Sequence, residues 1–313
     1  MAESFNTLAH LVYLNDANLN DLGMSDLLDE CPALSALFAQ TASNGTLHNY
    51  VKQTTASSAA FRAAGAGLTK TPSADTKVTD TLKILDASFC ADVALADAYH
   101  KGRDAYMERE LKRALKQSFA EVEAQIFNGV NNDGSGFIGL NDDGQLNAIS
   151  DAMVIAADTA GSTGSSQTSV YLVRSDETDV SMVIGNAGKI VVDDDPVIIE
   201  KVVNPGTDNA TFPALYCPVT GYVGFQIGGA YSAARIVNVE TALTDDDIYE
   251  GLALFPSGKM PNFIFMNRKS MRLLRQSRTA VNATGAAAPF VHEIEGIPVI
   301  MTDGVLNTEA VVS

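Results

Sequence analysis

Residues 103–128, RDAYMERELKRALKQSFAEVEAQIFN, contain neither glycine nor proline and are bracketed by Gly102 and Gly129. Within them Met107, Leu111, Leu115, Phe119, Val122 and Ile126 step by 4, 4, 4, 3 and 4, the period of a helix that buries one face. At 1.5 Å per residue such a helix is roughly 39 Å long. Acidic and basic residues share the opposite face, with Glu108–Lys112 and Glu110–Lys116 the expected surface neighbours. Gly129 is expected to close the helix as a left-handed cap.

Upstream, residues 48–55 (HNYVKQTT) can form a strand, and residues 76–85 (TKVTDTLKIL) alternate well enough to return as a second. Between them lies ASSAAFRAAGAGLTKTPSAD, residues 56–75, small side chains with one aromatic, Phe61. It has too little apolar surface to bury, so either it is disordered or another molecule holds it. A projecting hairpin laid on a neighbouring copy fits, since a lone two-stranded hairpin is marginal in water. Residues 1–51 hold no Lys or Arg, while Glu3, Asp16, Asp21, Asp26, Asp29 and Glu30 are acidic. Short apolar clusters punctuate that stretch, with Ser25 and Pro32 as helix starts or breaks. It reads as an arm seeking a partner surface or as an ordinary first layer of the domain.

Downstream, NNDGSGFIGLNDDGQ reads as a loop, followed by a helix at about 145–157 and a Gly/Ser/Thr linker. Residues 169–174, 180–184, 189–192, 197–203, 222–227 and 234–239 are strand-like. The last seventy residues alternate: a helix near 245–255, the strand NFIFM, a helix over 267–277 and the strand IPVIM. The fold class is therefore α+β.

The chain has 313 residues, 46% of them hydrophobic, enough for a sizeable core. Its formal net charge of −17 argues against wrapping polyanions or binding anionic lipid over its general surface. No apolar run reaches the ~20 residues of a membrane span, and the N-terminus lacks the positive region of a signal peptide, so a soluble, intracellular product is expected. Cys31, Cys90 and Cys217 have no CxxC spacing and read as small buried hydrophobes of a reducing compartment.

Gly134, Gly136 and Gly139 spell GxGxxG, but a helix precedes them where the dinucleotide fingerprint needs a strand. Asn131, Asp133, Ser135 and Asp142 fall near ligand positions of a calcium loop, a weak match because Asn opens it and Asp, too short for bidentate ligation, closes it. Asp193–Asp195 read as a solvated loop and Asp245–Asp247 as an acidic helix start. His10, His48, His100 and His292 have no partner spacing, and no GxSxG or HExxH appears, so no catalytic residue and no cofactor is expected. Arg268, Lys269, Arg272, Arg275 and Arg278 form the one basic concentration, on a helix. Without interleaved aromatics it suits an acidic neighbour such as the 1–51 stretch better than nucleic acid.

This order resembles the tailed-bacteriophage major capsid proteins of the Hong Kong 97-like fold. The likeness extends to local phrases: IFNGVNNDGSGFIGL after the long helix, PNFIFMNRKSMRLL, GIPVIMTDGV, SVYLVR and GYVGFQIGGAYSAARIVNV. Together they cover most of residues 45–310. The resemblance implies an N-terminal arm (1–45), an extended β-hairpin loop (46–85), a spine helix with peripheral domain (86–130), an axial domain in two parts (131–168 and 241–313) and peripheral-domain strands (169–240). It also implies a virion subunit that is not an enzyme and forms pentamers and hexamers of an icosahedral shell around double-stranded DNA in the host bacterial cytoplasm. A separate scaffolding protein, a portal and a decoration protein are the further partners it suggests. Phe61, Arg62, Lys70, Lys77, Arg268, Lys269, Arg272 and Arg275 are the expected inter-subunit contacts. Some relatives cross-link through the extended loop, where this chain has Lys52, Lys70 and Lys77. An encapsulin-like nanocompartment shell shares the fold, and a calcium-binding module at 131–142 is the reading from another class.

Overall fold

The computed structural model describes residues 31–55, 57–69, 71–142, 148–157, 166–185, 190–192, 197–202, 211–282 and 286–312. In chain order the first elements are α1 (Pro32–Ala36), β1 (Ala39–Thr41), β2 (Leu47–Thr55), β3 (Ala74–Thr81), β4 (Lys83–Asp86), β5 (Phe89–Asp92) and α2 (Val93–Asp97). The long helix follows as α3 (Arg103–Asn128), and all six stripe residues named from its period are buried. Then come β6 (Val154–Ala156), β7 (Thr168–Val173), β8 (Val180–Ile184), β9 (Ile190–Val192), β10 (Val197–Val202), β11 (Thr211–Cys217), β12 (Val219–Ile227) and β13 (Ala233–Val239). The chain ends with α4 (Asp245–Ala253), β14 (Phe263–Met266), α5 (Arg268–Val281), β15 (Glu293–Ile294) and β16 (Ile297–Met301).

Among the described residues these strands make four sheets. One runs β15-β16-β14-β7-β13-β6, with β7 its fully buried middle. Phe127, at the end of α3, packs on one face of it, 5.3 Å from the Tyr171 ring and 5.5 Å from Phe265. A second sheet runs β1-β8-β12-β4, with β9 also on β12, and meets the loop after α3 where Phe137 stacks on Phe225 at 6.2 Å. The third is β10-β11-β5; the fourth is the hairpin β2-β3. Helix α3 and the loop that follows it thus meet both large sheets.

A buried carboxylate ties the start of the described chain to this frame. Glu123 of α3 is 2% exposed and accepts from the backbone N–H of Ala33 (3.0 Å) and Leu34 (3.3 Å) and from the Thr302 hydroxyl just after β16. Residues 31–41 therefore form a first layer of the body, with Leu34, Leu37 and Ala39 in the core and β1 parallel to β8. Residues 1–30 lie outside the described residues.

Several sequence expectations change here. The strand expected over 76–85 breaks at Leu82: β3 joins the hairpin while β4 pairs with β12. The break is a joint. Leu82 is buried, its N–H donates to the Thr46 carbonyl at 2.9 Å, and its methyls fill a notch left by two glycines. A Cβ on Gly185 would lie 2.7 Å from Leu82 Cδ1, and one on Gly224 2.4 Å from Cδ2. The helix expected at 145–157 is instead a 3-10 turn at Asp151–Met153 running into β6, because parallel pairing with β13 outweighs local preference; residues 143–147 lie outside the description. Gly129 has the positive φ foreseen, 53°, but a ψ of −134°, so it leads into a 3-10 turn rather than a left-handed helical cap. Glu108 pairs with Lys112 at 2.8 Å, whereas Glu110 takes Arg113 at i+3 and Arg109, because a residue at i+6 points to another side of the helix. The strands of 169–240 divide among three sheets, β7 and β13 joining β14 and β16.

Two outcomes follow. Gly224→Ala evicts Leu82 from its notch and lowers stability by about 1–3 kcal/mol in denaturant unfolding, the usual overpacking cost; an unchanged midpoint would refute the joint. Burial raises the Glu123 pKa, with the Thr302 hydroxyl and two N–H donors opposing. A carboxyl with a raised folded pKa contributes stability below its unfolded pKa that is lost as pH rises through the folded value. The melting temperature of the wild type therefore gains on that of Glu123→Gln as pH falls from 7 to 5. Glu123→Ala, which strands its donors, costs about 1–3 kcal/mol at either pH.

Candidate functional site

The surfaces that can act on another molecule are the hairpin, the edge strand β10 and the α5 groove. The hairpin is registered from Leu47↔Thr81 to Thr55↔Ala74, with an irregularity between Gln53 and Thr55. Its base is held by polar contacts. His48 is buried, and its Nε2 lies 2.6 Å from Gln226 Oε1, which also accepts from the Gln40 amide at 3.2 Å. His48 Nδ1 accepts the Ser43 N–H at 3.4 Å, so Nε2 carries the proton. Beside it, burial and the nearby Asp80 raise the Tyr50 pKa. Lys52 is half-buried with its ammonium 3.5 Å from the Ala148 carbonyl, and burial lowers its pKa.

Toward the tip this changes. Residues 57–69 are all exposed, Phe61 completely, with Leu68 and Val51 also open to solvent. The tip's hydrogen bonds described here are local: Ser58 N–H to the Thr71 carbonyl at 3.1 Å, Thr71 N–H to Ser58 Oγ at 2.9 Å, Arg62 to the Ala66 carbonyl at 3.3 Å. Lys77 is exposed, opposite Val51; Lys70 lies outside the described residues. Among the described residues strand β10 has a partner on one side only, and it exposes Val197 and Ile198.

Helix α5 begins with Asn267 accepting the Ser270 N–H at 2.8 Å. Of its cations, Lys269 donates to the Ser166 carbonyl, Arg275 to the Ala288 carbonyl at 3.0 and 3.3 Å, and Arg278 pairs with Asp245 at the start of α4. The last is an internal ion pair that the sequence gathered into the same patch. Arg268 and Arg272 are exposed, and with Arg275 they line an open groove of about 370 Å³ whose apolar surface is Met271, Phe290 and Met301. The patch expected from sequence is therefore two exposed arginines and a third on a partly apolar groove.

The glycine-rich loop is built to meet the end of α3. A Cβ on Gly129 would lie 1.9 Å from Asp142 Oδ2, and one on Gly139 2.5 Å from the Gln125 carbonyl. Asp142 turns inward and accepts N–H bonds from Gly139 at 2.8 Å and Val130 at 3.2 Å, while Asp133 closes a turn on the Ser135 N–H at 2.8 Å. Asn131 and Ser135 are exposed. Of the four calcium-loop positions, Asp133 and Asp142 thus serve the loop's own backbone, and no group of three or more His, Cys, Asp or Glu suited to a metal occurs among the described residues. What sequence reasoning missed was Glu123 and the His48–Gln226–Gln40 contact, since each joins residues far apart in the chain. No helix among the described residues is long and apolar enough to cross a membrane.

Residues 24–313 match the family model described as major capsid protein GP7. No curated protein matches the chain. Among solved structures, a chain of bacteriophage Epsilon15 superposes with a TM-score of 0.60 and 18% identity over 88% of each chain. The capsid of bacteriophage JBD30 gives 0.46 at 10% identity, covering 86% of this chain and 89% of that one. The holo-SrpI encapsulin complex of Synechococcus elongatus PCC 7942 gives 0.45 at 10%, covering 67% of this chain and 88% of that one. With the family model spanning everything from residue 24 onward and the fold shared with the Epsilon15 chain, the protein is a Hong Kong 97-like subunit that belongs to the major capsid protein GP7 family.

Proposed function

We propose that copies of this chain assemble into pentamers and hexamers that tile an icosahedral phage head around double-stranded DNA. One observation carries the reading: a hairpin with a tightly held base and a tip, residues 57–69, that contributes nothing to its own core. Such a segment gains its buried area from a second copy, as an interface of ~800 Å² per partner requires. Phe61, Arg62 and Lys77 are the contacts we assign to that docking, and β10 offers a further edge. The subunit works through interfaces rather than through an active site. Helix α3 with the β1-β8-β12-β4 sheet is the peripheral part in this reading, and α4, α5 and the strands between and after them the axial part. A net charge of −17 suits a wall along which DNA slides without adhering. A scaffolding protein, a portal and a decoration protein are its further partners, and the host cytoplasm its place of assembly.

Electron microscopy of the protein, expressed alone and with its neighbouring genes, is expected to show closed shells or five- and six-fold rings. A monodisperse monomer in both preparations overturns the proposal. Deleting residues 56–75 is expected to leave the helical circular-dichroism signal and the subunit's melting temperature nearly intact while abolishing stable shells. Normal shells from that variant would remove the hairpin from the assembly mechanism and leave only its placement in the fold.

A further inference from the structure

To the hairpin, the β10 edge and the α5 groove the fold adds a fourth surface, a cleft of about 80 Å³ where β4, the second half of α3 and the loop after it meet. Its apolar lining includes Val122 and Phe137, both buried, and Ile84 of β4, which is two-thirds exposed. Glu121, Asp133 and Lys83 line it as well and are more open to solvent, leaving the mouth one negative charge in excess. Glu121 accepts from the Asn132 amide at 2.6 Å and Asp133 from the Ser135 N–H at 2.8 Å. Among the described residues neither carboxylate forms an ion pair. An aromatic floor, an uncovered isoleucine and two carboxylates without a cation suit an apolar ring carried beside a positive charge.

Phe61–Arg62 at the hairpin tip is that combination. Phe61 is fully exposed, and Arg62 donates to the Ala66 carbonyl of its own loop. The α5 groove would repel it, being lined by Arg268, Arg272 and Arg275, and the β10 edge takes a strand rather than a ring. A copy cannot fill its own cleft. The hairpin leaves the body at Leu82, and the cleft begins one residue later at Lys83. The nine residues of β2 carry the tip about 30 Å from that joint, and the Ser58–Thr71 bond holds the two limbs together beyond the last registered pair. The ring that enters therefore comes from a second copy.

We propose that the cleft between α3 and β4 receives Phe61 and Arg62 of a neighbouring copy, the ring against Ile84 and Phe137 and the guanidinium at Glu121 and Asp133. The docking rests on the assembly into rings and shells proposed above, and it gives the hairpin tip its receptor. The contact joins two different surfaces, so copies follow one another head to tail, as a closed ring requires. It also links one hairpin to the next. The incoming ring bears on β4 directly after the Leu82 joint of the receiving copy, so an occupied cleft steadies the hairpin that this copy extends in turn.

A photo-crosslinking amino acid at Ser135, an exposed residue of the cleft, tests this in assembled particles of the full-length protein. The expected product runs at the mass of two chains on a denaturing gel and maps from position 135 to residues 57–69. Phe61→Ala is expected to lower its yield about tenfold, the effect of losing an anchor ring. Arg62→Glu is expected to lower it about two- to fivefold, and Arg62→Glu with Glu121→Lys to restore it. Should Phe61→Ala particles fail to form, the milder Arg62→Glu pair carries the comparison. Wild-type particles that give no product, a product at single-chain mass, or one mapping elsewhere on a second copy overturn the docking and leave the assembly reading standing. A yield that neither Phe61→Ala nor Arg62→Glu changes overturns it too. Absence of shells and rings altogether removes the assembly reading and this docking with it.

Discussion

The apolar stripe of helix α3 is the contact on which the rest of the structure depends. Leu115, Phe119, Val122 and Ile126 are buried almost completely, and the helix ends by placing Phe127 against Tyr171 and Phe265. The end of the helix and the loop after it reach both large sheets, Phe127 at Tyr171 and Phe265 and Phe137 at Phe225. The same turns carry Glu123, whose carboxylate is satisfied by donors from both ends of the described chain. Apolar burial sets the helix in place, and one buried polar group then specifies which segments meet there.

Where the fold was legible in the sequence, the information was local. The 103–128 period, the strands 180–184 and 297–301 and the acidic start of α4 all follow from neighbouring residues; the capping box between Thr244 and Asp247 completes that last reading. Where it was not, a distant partner decided. Val154–Ala156 becomes a strand because β13 lies beside it. Strand β11 went unread because Pro213 interrupts it, yet Pro213 faces Glu200 of β10 at a point beyond the end of β5, where a missing N–H costs no ladder bond on that side. At the candidate site the basic helix was legible, but its division was not. Arg278 belongs to Asp245, Arg275 largely to a carbonyl, and Arg268 and Arg272 to the groove.

Charge is distributed in a way that matches this division of labour. The protein is acidic overall, and its exposed arginines are spread over three elements: Arg62 at the hairpin tip, Arg113 on α3, and Arg268 and Arg272 on α5. Exposed charges act over a Debye length of about 8 Å in physiological salt, so each of these arginines reaches only groups brought against its own surface.

The Leu82 joint gives the hairpin a mechanical character. Strand β2 has nine residues, about 30 Å of lever at the rise of an antiparallel strand. A rotation of about 5° at Leu82 displaces the far end of such a lever by ~2.6 Å, close to the difference between contact and no contact. The pivot sits between Gly185 and Gly224, which belong to the β8–β12 sheet. Aim is therefore calibrated in the body and expressed at the tip: a small change of twist in that sheet would re-point the hairpin of every subunit in the same direction, turning a local adjustment into a collective one.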